Sequence, residues 1–95
     1  ISLGSVEENL TRVFGDDGVF VAVAVNDEKK GESIVLLIKS ELALSEINER
    51  IKSLNIPPIM LPSHVFHVDD IPLLGSGKAD FNGAKKLAET LLSEP

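Results

Sequence analysis

Cysteine is absent from the 95-residue sequence, which excludes both a disulfide framework and a thiolate metal site. Long hydrophobic runs are missing too. Apolar stretches stop at about seven residues, whereas a membrane-spanning helix needs about 20. We therefore expect no membrane contact by this part of the protein itself.

Positive charge is scarce, with 9 Lys and Arg against 15 Asp and Glu and a net charge of −6. Because affinity for nucleic acids comes mainly from neutralising phosphates, we expect no nucleic-acid partner. The chain is 43% hydrophobic and 25% charged, which is typical of a folded globular domain. Its length fits one domain. It begins Ile1-Ser2-Leu3 without a methionine, so we expect a piece of a larger protein.

Hydrophobic spacing predicts the order helix, strand, strand, helix, strand, helix. Segments 19–25 and 33–39 are rich in β-branched residues and apolar on both faces, as in central strands covered on each side. Segment 64–68 is a short third strand. The helices are marked by Val6, Leu10, Val13 and Phe14, by Leu44, Ile47, Ile51 and Leu54, and by Ala84, Leu87, Ala88 and Leu91. We predict an α+β fold with a small sheet of about three strands, mainly antiparallel, and helices packed on it.

Two polar residues stand where helices are expected to begin. Ser45 precedes the apolar positions of the second helix, and Asp80 precedes those of the third. Short polar side chains accept hydrogen bonds from the free N–H groups of a first helical turn. We predict that both residues are N-caps.

The segment 71–80 contains two glycines and a serine directly before Lys78. Such a loop can pass close to a phosphate or carboxylate and present backbone N–H groups and one long cationic arm. It is not a P-loop, because Pro72 stands where that motif has glycine and Ala79 where it has Ser or Thr. From spacing alone, a simple turn followed by a solvated lysine fits equally well.

Residues 72–81, Pro-Leu-Leu-Gly-Ser-Gly-Lys-Ala-Asp-Phe, resemble the final core motif of the AMP-forming adenylating enzymes. This family includes acyl-CoA synthetases, peptide-synthetase adenylation domains and luciferases. Residues 1–7 are similar to the family's Val-Ser-Pro-x-Glu-Ile-Glu segment, although Ser5 stands where glutamate is common. Residues 23–32 resemble its Val-Pro-Asp-x-x-Lys-Gly-Glu hairpin. The three motifs occur in the family's order and cover the whole chain.

The resemblance implies that residues 1–95 form the mobile C-terminal lid of a ligase whose N-terminal domain, not included here, binds most of the ATP, Mg²⁺ and carboxylic acid. Lys78 matches the catalytic lysine, and Gly75, Ser76 and Gly77 match the loop that approaches the nucleotide. The family joins acid and ATP into an acyl-adenylate, and a thiol then displaces AMP. The hinge and the thiol-approach loop would lie upstream of Ile1, so we expect the isolated domain to be inactive.

Within the family, residues 73–81 are similar to the acyl-carrier-protein synthetase portion of bacterial bifunctional 2-acylglycerophosphoethanolamine acyltransferases. This implies a fatty acid substrate, an acyl carrier protein or coenzyme A as acceptor, and a role in phospholipid reacylation. It also implies a cytoplasmic domain, with inner-membrane association of the parent enzyme as an option. The alternative is a stand-alone α+β binding module. An acyl carrier protein is disfavoured, because carriers are helical and their Asp-Ser-Leu motif is missing.

The two histidines do not predict a metal site. His64 and His67 are three residues apart in a predicted strand, so their side chains point to opposite faces. The adjacent acids Asp69 and Asp70 precede a turn and are expected to be solvated. We interpret the lysine pairs 29–30 and 85–86 as exposed charge, with attraction to an acidic carrier or a phosphate as the alternative.

Overall fold

The computed structural model describes residues 3–27 and 31–93. These residues form the predicted order of helices and strands, with one added short 3₁₀ turn. The elements are α1 (Leu3–Phe14), β1 (Gly18–Asp27), β2 (Gly31–Ser40), α2 (Leu44–Lys52), the 3₁₀ turn Pro58–Met60, β3 (His64–His67) and α3 (Phe81–Ser93). The centre of the predicted connection between the first two strands, residues 28–30, lies outside the described residues.

The described residues form a three-stranded sheet in the order β1-β2-β3, which confirms the α+β prediction. β1 and β2 pair antiparallel, with Gly18 opposite Ser40. β3 pairs parallel with β2, with Val35 opposite His64. The crossover through α2 returns the chain in the direction of β2, as a parallel pair requires. The carboxyl ends of β2 and β3 therefore meet at one edge of the sheet.

Strand β2 lies between two hydrophobic cores. Residues 33–38 are all buried, and their side chains alternate between the two faces of the sheet. Ile34, Leu36 and Ile38 belong to the first core, which α1 and α2 cover. Val35 and Leu37 belong to the second core, which α3 covers through Ala84 and Ala88. Each face thus has its own helical layer.

Arg50 of α2 joins three elements on the first face. Its guanidinium donates to the Val13 carbonyl at 3.0 Å, near the end of α1, and to Asp17 at 2.7 Å. A weaker contact of 3.4 Å reaches Glu46 one turn earlier on α2. The hydrogen bond with Asp17 is the main cause that raises the pKa of Arg50 above its ordinary value. The arginine thus joins the turn after α1 to α2.

One predicted cap is confirmed and the other is wrong. The Asp80 carboxylate accepts a hydrogen bond from the Gly83 N–H at 3.0 Å and caps α3. Helix α2 begins one residue before Ser45, with Ala43 as an N-cap that makes no side-chain hydrogen bond. The Ser40 hydroxyl accepts from the Leu42 N–H at 3.0 Å, so the chain is already held ahead of the helix. A serine cap at position 45 is not needed.

Burial in the first core predicts that two isoleucines contribute very differently to the free energy of unfolding. Ile47 is fully buried against the sheet, whereas Ile59 is 68% exposed on the 3₁₀ turn. We expect Ile47→Ala to lower the free energy of unfolding by about 2–5 kcal/mol, because it leaves a cavity in packed surroundings. The matched variant Ile59→Ala should change it by less than about 0.5 kcal/mol. Urea unfolding followed by circular dichroism measures both. Equal losses would contradict this assignment of the core.

Candidate functional site

The segment carrying Lys78 forms a tight hairpin, residues 72–80, which we call the lysine hairpin. Leu73 and Ala79 form an antiparallel bridge. The Leu74 N–H donates to the Lys78 carbonyl at 2.7 Å, and the Gly77 N–H donates to the Leu74 carbonyl at 2.8 Å. Three residues, 75–77, make the tip. Hairpins with three-residue tips commonly end the turn with a residue of positive φ, and Gly77 has φ of +90°.

Both ends of the lysine hairpin are fixed to the body of the domain. Ile71 enters the second core and is only 7% exposed. At the other end the Asp80 N–H donates to the Pro72 carbonyl at 3.0 Å and closes the base. Helix α3 begins immediately afterwards, at Phe81. The hairpin is therefore a structured projection rather than an unstructured loop.

Lys78 is exposed on this projection. Within residues 3–27 and 31–93, no carboxylate or other acceptor pairs with its ammonium group. The tip is also open, since a Cβ added at Gly75 or Gly77 would meet nothing within 4 Å. The predicted site residues thus come together as one accessible loop with an unneutralised cation. This geometry suits an external anion.

Large apolar side chains flank the lysine, a feature that sequence reasoning missed. Leu73 is 58% exposed, Leu74 50% and Phe81 50%. Their residue types were visible in the motif, but their exposure follows from the hairpin projecting from the sheet. These three side chains add exposed apolar surface to the hairpin and to the first residue of α3.

The histidines lie elsewhere and serve local structure. Both are exposed, and His67 Nε2 contacts the Ser40 carbonyl, so this ring nitrogen is the donor. The His64 ring stacks on Phe66 with centroids 6.3 Å apart. Among residues 3–27 and 31–93 there is no group of three or more His, Asp or Glu that could hold a metal ion.

Acidic side chains near the predicted motifs show no catalytic arrangement. Asp70 pairs with Lys39 at 3.2 Å, but both side chains are more than half exposed, so the pair adds little stability. Partial burial raises the pKa of Glu7, in the first family-like segment, above its ordinary value. A groove of about 830 Å³ at the carboxyl ends of β2 and β3 includes Ser40 and His67, but Lys78 does not line it. The lysine hairpin therefore remains the candidate site.

Comparison with known proteins identifies the family of the chain. Residues 6–78 match the family described as AMP-binding enzyme C-terminal domain, and the chain belongs to this family. Phenyloxazoline synthase MbtB of Mycobacterium sp. (strain MCS) is 31% identical over 84 residues, which cover 84% of this chain and 7% of that protein. No helix in the described ranges is long and apolar enough to cross a membrane.

Solved structures share the fold. An acyl-CoA synthetase (AMP-forming)/AMP-acid ligase II-like protein from Dyadobacter fermentans superposes with a TM-score of 0.79 at 16% identity, covering 92% of this chain and 26% of that one. The fatty acyl CoA synthetase of Mycobacterium tuberculosis gives 0.73 at 21% identity, covering 88% of this chain and 18% of that one. The chain thus spans about a quarter or less of the length of these relatives.

The positive φ of Gly77 predicts that a side chain at this position destabilises the lysine hairpin locally. Alanine at φ near +90° costs about 1–2 kcal/mol. We expect Gly77→Ala to raise hydrogen exchange of the Leu74 N–H roughly 5- to 30-fold, because the bond to Lys78 opens more often. Gly75→Ala is the control, since φ is not positive there and the space is open. Equal exchange in the two variants would argue against this hairpin geometry.

Proposed function

We propose that residues 1–95 act as the mobile C-terminal domain of an AMP-forming acyl ligase, with Lys78 as its catalytic residue. The observation that carries the proposal is the place of Lys78 on a structured, open hairpin, with no partner among residues 3–27 and 31–93, in a chain of this family. Exposed lysines elsewhere, such as Lys85, also make no ion pair with the described residues, so it is the hairpin and the motif that distinguish Lys78. A lysine that acts on a substrate of another domain must be accessible when the domains close.

The reaction gives this cation a physical role. A carboxylate oxygen of the acid attacks the α-phosphorus of ATP, and the bond from that phosphorus to the oxygen bridging to the β-phosphate breaks. The products are acyl-adenylate and pyrophosphate. The carboxylate and the phosphate repel each other, and the Lys78 ammonium would lower that repulsion and hold both groups. Two unit charges about 4 Å apart at an effective dielectric constant near 20 interact by about 4 kcal/mol. That corresponds to roughly 10³ in rate.

The tip of the hairpin would let this charge approach the nucleotide. Gly75 and Gly77 have no side chain to collide with a phosphate, and Ser76 between them carries a hydroxyl donor. As the family resemblance implies, the metal and most of the ATP would be bound by the N-terminal domain. After adenylation the domain would swing, remove Lys78, and admit the thiol that displaces AMP.

The proposal also concerns the identity of the acid substrate and of the thiol acceptor. Residues 73–81 support a fatty acid and an acyl-carrier-protein synthetase of the 2-acylglycerophosphoethanolamine acyltransferase type. The proteins to which this chain is similar include a phenyloxazoline synthase and a fatty acyl CoA synthetase. The net charge of −6 argues mildly against tight docking of an acidic carrier. ATP–pyrophosphate exchange with fatty and with aryl acids identifies the acid substrate. Transfer of the acyl group to an acyl carrier protein or to coenzyme A then identifies the thiol acceptor.

A stand-alone binding module is the alternative function. It would need no free lysine on a hairpin and would not predict a match to ligase C-terminal domains over residues 6–78. No observation on the described residues favours it. Activity that depends on Lys78 would exclude it.

The central test separates the two half-reactions in the complete ligase. We expect Lys78→Ala to slow ATP–pyrophosphate exchange about 10³-fold, because the cation between the two anions is lost. Thioester formation from preformed acyl-adenylate should stay within about twofold. Lys85→Ala removes an exposed lysine on α3 and should leave both rates unchanged. A Lys78→Ala enzyme with normal exchange would show that the assigned role is wrong.

A further inference from the structure

Asp80 lies where the lysine hairpin ends and α3 begins. Its backbone N–H closes the hairpin on the Pro72 carbonyl, and its own carbonyl accepts from the Ala84 N–H at 2.8 Å. Its carboxylate accepts from the Gly83 N–H at 3.0 Å. One residue therefore connects the base of the hairpin to the first turn of the helix.

Helix α3 is the rigid side of this connection. Ala84 and Ala88 are fully buried in the second core, and Leu87 and Leu91 pack against it. The hairpin has no such support of its own, because every residue from Leu73 to Lys78 is exposed. The position of Lys78 therefore depends on the two ends of the hairpin, at Ile71 and at Asp80.

The Asp80 carboxylate lies close to Gly83 in the first turn of α3. A Cβ at Gly83 would come within 2.6 Å of the Asp80 Oδ2 atom, so glycine leaves the room that the carboxylate occupies. No ion pair joins Asp80 to Lys78 within the described part of the chain. The carboxylate thus acts on the backbone of α3 and does not neutralise the catalytic charge.

We infer that Asp80 is a positioning residue for Lys78: its helix cap holds the last residue of the hairpin on α3 and so sets where the ammonium group is carried. The inference rests on the function proposed above and adds a residue to it. Without the cap, the first turn of α3 frays and the base of the hairpin moves with it. Misplacement by about 1 Å can cost on the order of 100-fold in rate.

The test uses the complete ligase and measures both half-reactions. We expect Asp80→Ala to lower kcat for ATP–pyrophosphate exchange roughly 10- to 100-fold with little change in the KM for ATP. Thioester formation from preformed acyl-adenylate should stay within about twofold, because Lys78 has left the site at that step. Asp80→Asn keeps a capping oxygen without the charge and should retain at least about half of the exchange rate.

Two further variants control for a general loss of folded protein. Asp80→Gly is the milder variant, because glycine at an N-cap costs a helix only a few tenths of a kcal/mol. Its exchange rate should lie between those of Asp80→Ala and Asp80→Asn, so it should still be slower than Asp80→Asn if the alanine variant does not accumulate. Glu89→Ala removes an exposed carboxylate on the same helix and should change neither rate.

The outcomes separate this inference from the proposed function. If Lys78→Ala abolishes exchange but Asp80→Ala exchanges normally, the positioning role is wrong and the function stands. If Asp80→Ala loses both half-reactions equally, the positioning role is also wrong. The same holds if Asp80→Asn is as slow as Asp80→Ala, or as slow as Asp80→Gly where the alanine variant does not accumulate. If Lys78→Ala exchanges normally, the proposed function itself fails.

Discussion

Burial of strand β2 on both faces is the constraint on which the rest of the structure depends. Six consecutive residues, 33–38, are inaccessible, so each face of the sheet needs its own cover. Helices α1 and α2 supply one cover and α3 the other. Because α3 is held by this requirement, the chain just before it has a defined position. The hairpin that carries Lys78 takes its place from that packing.

The electrostatics of the site are local. A net charge of −6 would make the domain a poor partner for anions in general. Yet Lys78 projects from the surface without an acidic partner among residues 3–27 and 31–93, while Arg50 and Lys39 each pair with carboxylates. The unpaired lysine stands beside exposed Leu73 and Leu74, which would be covered when another domain closes on it. The proposed chemistry therefore depends on the position of Lys78 on its hairpin rather than on a basic surface.

Much of this arrangement could be predicted from the sequence, because the responsible signals are local. The apolar run 33–39 predicted a central strand buried on both faces, and Asp80 predicted the cap of α3. The run 19–25 also predicted a central strand, which is wrong, because β1 lies at the edge of the described sheet and Val19 is 56% exposed. The parallel direction of β3 is set by how α2 crosses the sheet, which spacing does not encode. The N-cap of α2 was misplaced at Ser45 because Ser40 and Ala43 fix the chain earlier. The exposure of Leu73 and Leu74 likewise depends on where the finished sheet ends.

The absence of cysteine allows the central claim, that a cation at position 78 drives adenylation, to be tested directly. Lys78→Cys in the complete ligase introduces the only thiol in this domain, and 2-bromoethylamine converts it to an aminoethyl side chain close to lysine in length and charge. The measurement is ATP–pyrophosphate exchange before and after this treatment, with iodoacetamide as the neutral modification and wild-type ligase treated in the same way. The account predicts that Lys78→Cys is inactive in exchange, that aminoethylation restores a substantial part of the rate, and that iodoacetamide restores none. Full exchange by unmodified Lys78→Cys, or equal recovery with iodoacetamide, would contradict it.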